Sequence, residues 1–207
     1  LSNQSPRTYA PKPAYALRFW DERQLWPPKV DVLEVVRVRA QRYLTQLPRC
    51  VSGQIRLGDS RDSKDYPDIK IGLAITSPPY YGMRTYMPDQ WLRSWFLGGP
   101  SDIEYQRAPR EIQHTSVEVF VSELRLVWKA LATRATADAH LVVRFGSIND
   151  RDVDHVLLLK ESLKDSGWVL RTITEAGDAN SGKRQARQFR LADSLPRMEH
   201  DFYAVPA

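Results

Sequence analysis

Ala74 to Tyr86 reads AITSPPYYGMRTY. The apolar run IGLAITS has strand character, and Pro78 and Pro79 forbid its continuation, because proline has no N–H to give to a β ladder. A buried strand ending at Ser77 is therefore expected. Two successive prolines also stiffen the backbone, so the carbonyls near Ser77 and Pro78 point in fixed directions and serve no neighbouring strand. Acceptors held in this way suit an NH2 group. Tyr80 adds a flat aromatic face on which a planar base can stack. Together these features describe a pocket for an exocyclic amine on a ring.

Upstream, QIRLGDS reads as a short strand ending in Gly58-Asp59-Ser60. From Asp31, a possible cap, Leu33, Val36, Ala40, Tyr43, Leu44 and Leu47 recur at helical spacing, predicting a helix that ends near Pro48. Residues 1–30 are rich in proline and aromatics with little period and read as an extended arm, leaving 31–207 as the catalytic part.

Downstream, Val117, Phe120, Val121, Leu124, Val127, Trp128 and Leu131 form a helical stripe between about Ser116 and Arg134. HLVVRFGS reads as the next strand, followed by a helix over Val153–Ser166 that stops at Gly167. WVLRTITEAG and EHDFYAV read as two late strands joined by the basic stretch GDANSGKRQARQFR. Strands alternating with helices predict an α/β sheet with mostly parallel strands, whose ligands sit beyond the carboxyl ends. Ser77 and Asp59 both fall at such ends.

At 207 residues the chain is long enough for one domain with a proper core. Lys and Arg exceed Asp and Glu by 30 to 25, a balance that favours a polyanionic partner. The single cysteine, Cys50, excludes an internal disulfide and a thiolate metal cluster and suits a reducing cytosol. The four histidines lie in different elements without metal-ligand spacing, so no metal is expected. No run approaches the length of a membrane span and no signal peptide is read at the start. Leu1 in place of Met is expected of a processed or cut polypeptide.

TSPPY, preceded by RLGDSRD and followed after a helix by LVVRFGS and the two late strands, resembles the S-adenosylmethionine-dependent amino-methyltransferases of DNA. The resemblance covers roughly Gln54 to Val205. It implies a Rossmann-like class I methyltransferase sheet and direct methyl transfer from S-adenosylmethionine to an amine of a flipped base, with N4 of cytosine favoured over N6 of adenine. It implies Ser77, Pro78, Pro79 and Tyr80 as the catalytic turn, and Asp59, Ser60, Ser77 and Pro78 at the methyl donor, Asp59 facing its adenine. Tyr80, Tyr81, Arg84, Lys183, Arg184 and Arg187 are the implied contacts to double-stranded DNA. A prokaryotic cytoplasmic setting in restriction-modification or defence goes with it. Methylation at C5 of cytosine would need a cysteine next to a proline on the active-site loop, and Cys50 follows Arg49.

Such enzymes also need a glycine-rich turn of the type Phe-x-Gly-x-Gly after their first strand, and an acidic residue for the donor ribose. FLGGP at Phe96–Pro100 lacks a preceding strand, RFGSIND has one glycine, and no acidic candidate is identifiable. The strand at Gln54–Asp59 would then have nothing to pair with. Another polypeptide or segment carrying the glycine-rich turn, and with it target recognition, is expected to complete the sheet. Methylation of RNA or of protein glutamine, and a non-catalytic DNA-binding or scaffolding subunit, are the rival expectations.

Overall fold

The computed structural model describes residues 18, 21–26, 29–47, 49–82, 94–100, 111–147, 153–178 and 198–207. Arg84, Lys183, Arg184 and Arg187, expected to contact DNA, lie outside these residues. The described elements run α1 (Val32–Tyr43), a short 3-10 turn (Ser63–Asp65), β1 (Ile71–Thr76), α2 (Val117–Ala132), β2 (Ala135–Gly146), α3 (His155–Leu163), β3 (Trp168–Asp178) and β4 (Met198–Pro206). This is an α/β chain with a small mixed sheet of four strands in the order β1-β2-β4-β3.

β1 and β2 pair in parallel, whereas β4 lies antiparallel to both β2 and β3. The expectation of mostly parallel strands is thus corrected: two of the three pairings are antiparallel, with β4 inserted between β2 and β3. Parallel pairing of consecutive strands demands a crossover packed on the sheet, and β4 instead returns directly alongside β3.

Helix ends follow local chemistry. Asp31, Ser116 and Asp154 each cap a helix by accepting from backbone N–H groups of the first turn. Gly167, just beyond α3, has φ +86°, a left-handed conformation that glycine adopts without strain, and a Cβ there would stand 2.8 Å from Ala132 Cβ. The chain can therefore turn from α3 into β3 directly beneath the end of α2.

The core lies on one face of the sheet. Leu141, Val143 and Phe145 of β2 and Phe202 and Ala204 of β4 are buried with Phe120, Leu124 and Trp128 of α2 and Leu158, Leu159 and Leu163 of α3. Buried indoles are satisfied: Trp128 donates to Ser162 Oγ at 3.0 Å and Trp168 to the Trp128 carbonyl at 3.0 Å. On the opposite face Leu73 and Ile75 of β1 remain 57% and 73% exposed, beside His140 and Val142 of β2. Alternation thus holds along β2, but β1 is not the buried strand expected from its composition. It pairs only with β2 among the described residues, and its apolar open face lacks cover there.

A second correction concerns QIRLGDS. Gln54–Leu57 form no strand, and the Ile55 and Leu57 side chains are fully exposed. Strand residues need a ladder partner, and no described element runs beside this segment. α1 forms as expected but ends at Tyr43, and none of its residues is buried. Of the arm expected to be extended, residues 21–22 are helical.

Candidate functional site

β1 delivers Ser77 and the two prolines to the sheet end where β2 also finishes, at Gly146, and where β4 begins. Ser77, Pro78 and Pro79 line a cavity of about 730 Å³ that follows the whole of β1 and reaches Ser60. Its apolar wall is the side of α2 bearing Leu124, Val127, Trp128 and Leu131. Ser77 is exposed and the prolines half-buried, so the turn stands at the mouth of the cavity.

Tyr80 leans away from the cavity over the end of β2. Its ring meets Phe145 edge-on with centroids 5.6 Å apart at 89°. Its hydroxyl donates to Glu199 Oε1 at the start of β4. Gly146 permits this approach, because a Cβ there would stand 3.0 Å from the Met198 carbonyl oxygen, 3.1 Å from Glu199 Cγ and 3.4 Å from Tyr80 Cζ. Next along β4, Asp201 is forked by Arg144, with both contacts at 2.8 Å. That guanidinium holds the Asp201 carboxyl below the usual carboxylate range.

Tyr81, expected at the DNA, is half-buried and packs within the protein's own aromatic cluster. Its ring lies 5.5 Å from Phe120 and 6.2 Å from His114. His114 Nδ1 accepts from the Gly82 N–H at 3.0 Å, fastening the far end of the turn.

Asp59 and Ser60 part ways. Ser60 lines the cavity together with Ser77, whereas Asp59 lines a separate depression with Arg61, Asp62 and Lys129. Both Asp59 carboxylate oxygens accept from Arg61, Oδ1 from Nε at 2.9 Å and Oδ2 from Nη2 at 2.6 Å. The same guanidinium reaches Glu123 of α2. Hydrogen bonding to Asp59, opposed by desolvation and aided by Glu123, raises the Arg61 pKa. The backbone at Ser60 is placed by Tyr66, whose hydroxyl donates to the Ser60 carbonyl at 2.9 Å. Burial, with a further contribution from Asp59, pushes the Tyr66 phenol up.

The residues present suit a methyl donor in part. The cavity has the room, an apolar wall and a hydroxyl at each end in Ser60 and Ser77. The Asp59 carboxylate, expected at the donor adenine, is engaged by Arg61, and no described residue of this cavity carries a cation for a carboxylate except Lys70. Sequence reasoning missed Glu199, Gly146 and the pairing of His155 with His200, since each depends on segments far apart in the chain. Cys50 is exposed. No protein-family model matches the chain, and no curated protein matches it.

Proposed function

We propose that this chain is the catalytic part of an S-adenosylmethionine-dependent DNA amino-methyltransferase that modifies a flipped base, N4 of cytosine in preference to N6 of adenine. The observation that carries the reading is the Ser77-Pro78-Pro79-Tyr80 turn at the carboxyl end of β1, opening on a cavity that Ser60 shares. An amine conjugated to a ring is a poor nucleophile, and the turn answers that with position. Ser77 and the Pro78 carbonyl accept the amine hydrogens and aim the nitrogen lone pair into the cavity. The donor, when bound, supplies an electrophilic methyl on a sulfonium. As the new N–C bond forms the amine loses a proton, and the exposure of Ser77 lets water take it.

The half-buried Tyr80 ring offers the target base a surface once it has left the duplex stack. A base so displaced is held by stacking rather than by pairing, which explains an aromatic residue directly after the prolines. The finer fold within this proposal is a Rossmann-like methyltransferase sheet of which the chain holds one part. The open edge and face of β1, the unpaired segment 51–57 and the exposed apolar residues of α1 support completion by another polypeptide that brings the methionine and ribose contacts.

The test is nucleoside mass spectrometry of DNA from cells that express the chain with its co-purifying partners. N4-methylcytosine or N6-methyladenine should appear with the wild type and vanish with Tyr80→Ala. Methylated RNA or glutamine in place of methylated DNA bases would reassign the acceptor, and no methylated product in any of the three would sink the reading.

A further inference from the structure

We infer that Glu199 is the positioning residue of the Tyr80 ring, fixing the far end of the ring over the end of β2 through the hydroxyl hydrogen bond. The inference rests on the reading of the Ser77 turn as the amine pocket. The first torsion of a tyrosine has three staggered wells, and a bond at the hydroxyl, the point farthest from that torsion, has the most leverage in choosing among them. Two strands meet Tyr80: β2, with Phe145 against the ring and Gly146 beneath it, and β4, with Glu199 at its hydroxyl. Phe145 is fully buried, and the bare Cα of Gly146 leaves room for the ring and the Glu199 side chain to come together.

Glu199 is itself held in place. It pairs with Gly146 in the β2–β4 ladder, and two residues on, the same ladder carries the Arg144–Asp201 fork. The Tyr80 hydroxyl and the residue that fixes it are 119 positions apart in the chain, so the bond ties the turn after β1 to the far strand β4 across the end of β2. Stacking needs a ring whose place is defined. A ring pre-set by this bond loses less freedom when a base arrives, and the base amine is then delivered to the acceptors at Ser77 and Pro78 in one orientation. Glu199 acts through Tyr80 and touches no base.

The experiment has two readouts on the full chain with its co-purifying partners. In the first, ring-labelled tyrosine is followed by NMR, with Tyr80→Phe assigning the Tyr80 signal. Wild type and Glu199→Gln, which keeps an acceptor at the same reach, should show through-space contacts from the Tyr80 ring to the Phe145 ring and the Gly146 Cα protons, and Glu199→Ala should lose them. In the second, Glu199→Ala and Tyr80→Phe should each lower kcat for methyl transfer about tenfold, the scale expected on losing a hydrogen bond to a charged group, and the double variant should lose no more than either. Glu199→Gln should recover most of the rate. Unchanged Tyr80 contacts in Glu199→Ala, or losses that multiply in the double variant, would overturn the inference. Unchanged methylation in Tyr80→Ala would instead remove the amine-pocket reading, whatever the ring does.

Discussion

His155 Nε2 and His200 Nδ1 lie 2.8 Å apart, joining the first residue of α3 to β4 behind Phe145. At that distance one ring nitrogen must donate and the other accept, so the bond survives with one shared proton and fails when both rings are protonated. Burial, reinforced by His200 and opposed by Asp154, lowers the His155 pKa below its usual 6.5.

An acid-labile fold follows from that shift. A base whose pKa is lower in the folded state binds fewer protons folded than unfolded, so its contribution is present above the unfolded value. It is lost as pH falls from about 6.5 through the folded pKa. Chemical denaturation between pH 8 and pH 5 should show stability falling below about pH 6.5, and His155→Gln should flatten that limb. An equally steep limb in the variant would place the acid sensitivity elsewhere.

Arg61 bridges Asp59, before the 3-10 turn, and Glu123 of α2, with all three side chains less than a quarter exposed. Removing the cation leaves two carboxylates of like sign close together in a partly dry site. Arg61→Met keeps much of the aliphatic stem, so its cost should be mainly electrostatic, about 1–3 kcal/mol in urea denaturation, and the double change with Glu123→Gln should recover part of it. Loss of equal size in the single and double variants would show that the guanidinium's hydrogen bonds, not relief of repulsion between the two carboxylates, tie segment 59–62 to α2.

The Gly167 turn combines a backbone requirement with close packing against α2. An alanine there takes on a left-handed conformation, costing roughly 1–2 kcal/mol, and in addition drives its Cβ to 2.8 Å from Ala132 Cβ. Gly167→Ala should therefore lower stability by more than about 2 kcal/mol, the overpacking being added to the backbone strain. A loss below about 1 kcal/mol would mean that the end of α2 and the start of β3 move apart freely, contrary to the buried Trp128–Trp168 contact between them.

The stripe from Val117 to Leu131 and the spans of β3 and β4 follow from apolar period and turn residues, which act within a few positions. The helix expected over Val153–Ser166 is shorter at both ends, His155–Leu163, because Asp154 caps its start and Lys164 leaves the helical conformation. β2 begins at Ala135 rather than near His140 because ATADA is poor in strand formers, and those residues are recruited by the parallel ladder with Ile71. Gln54–Leu57 show the converse, a strand composition without a neighbour to pair with. In the site, Ser77 and its prolines were legible because proline acts on its own backbone. The Glu199 partner of Tyr80, the Arg61 clamp on Asp59 and the His155–His200 contact were not, because each is set by strand register or helix docking between distant segments.

The last prediction concerns the chain by itself. The cavity along β1 offers Ser60 at one end and the Ser77 turn at the other, but no described residue there supplies an acidic partner for ribose hydroxyls. Half a pocket makes only part of the contacts while the donor still loses its full translational and rotational freedom on binding, so affinity should fall far more than in proportion. Among the described residues the same molecule presents a β1 edge without a strand partner, with Leu73 and Ile75 exposed, and an α1 whose Leu33, Val36 and Tyr43 are all exposed. Edges and apolar surfaces of this kind invite association. Residues 1–207 purified alone should self-associate in sedimentation and show no S-adenosylmethionine binding by calorimetry at micromolar concentrations. Addition of the co-purifying partner should restore a discrete complex that binds the donor. A monodisperse monomer with micromolar donor affinity would end the argument for a completing polypeptide and leave the cavity along β1 as a whole donor site.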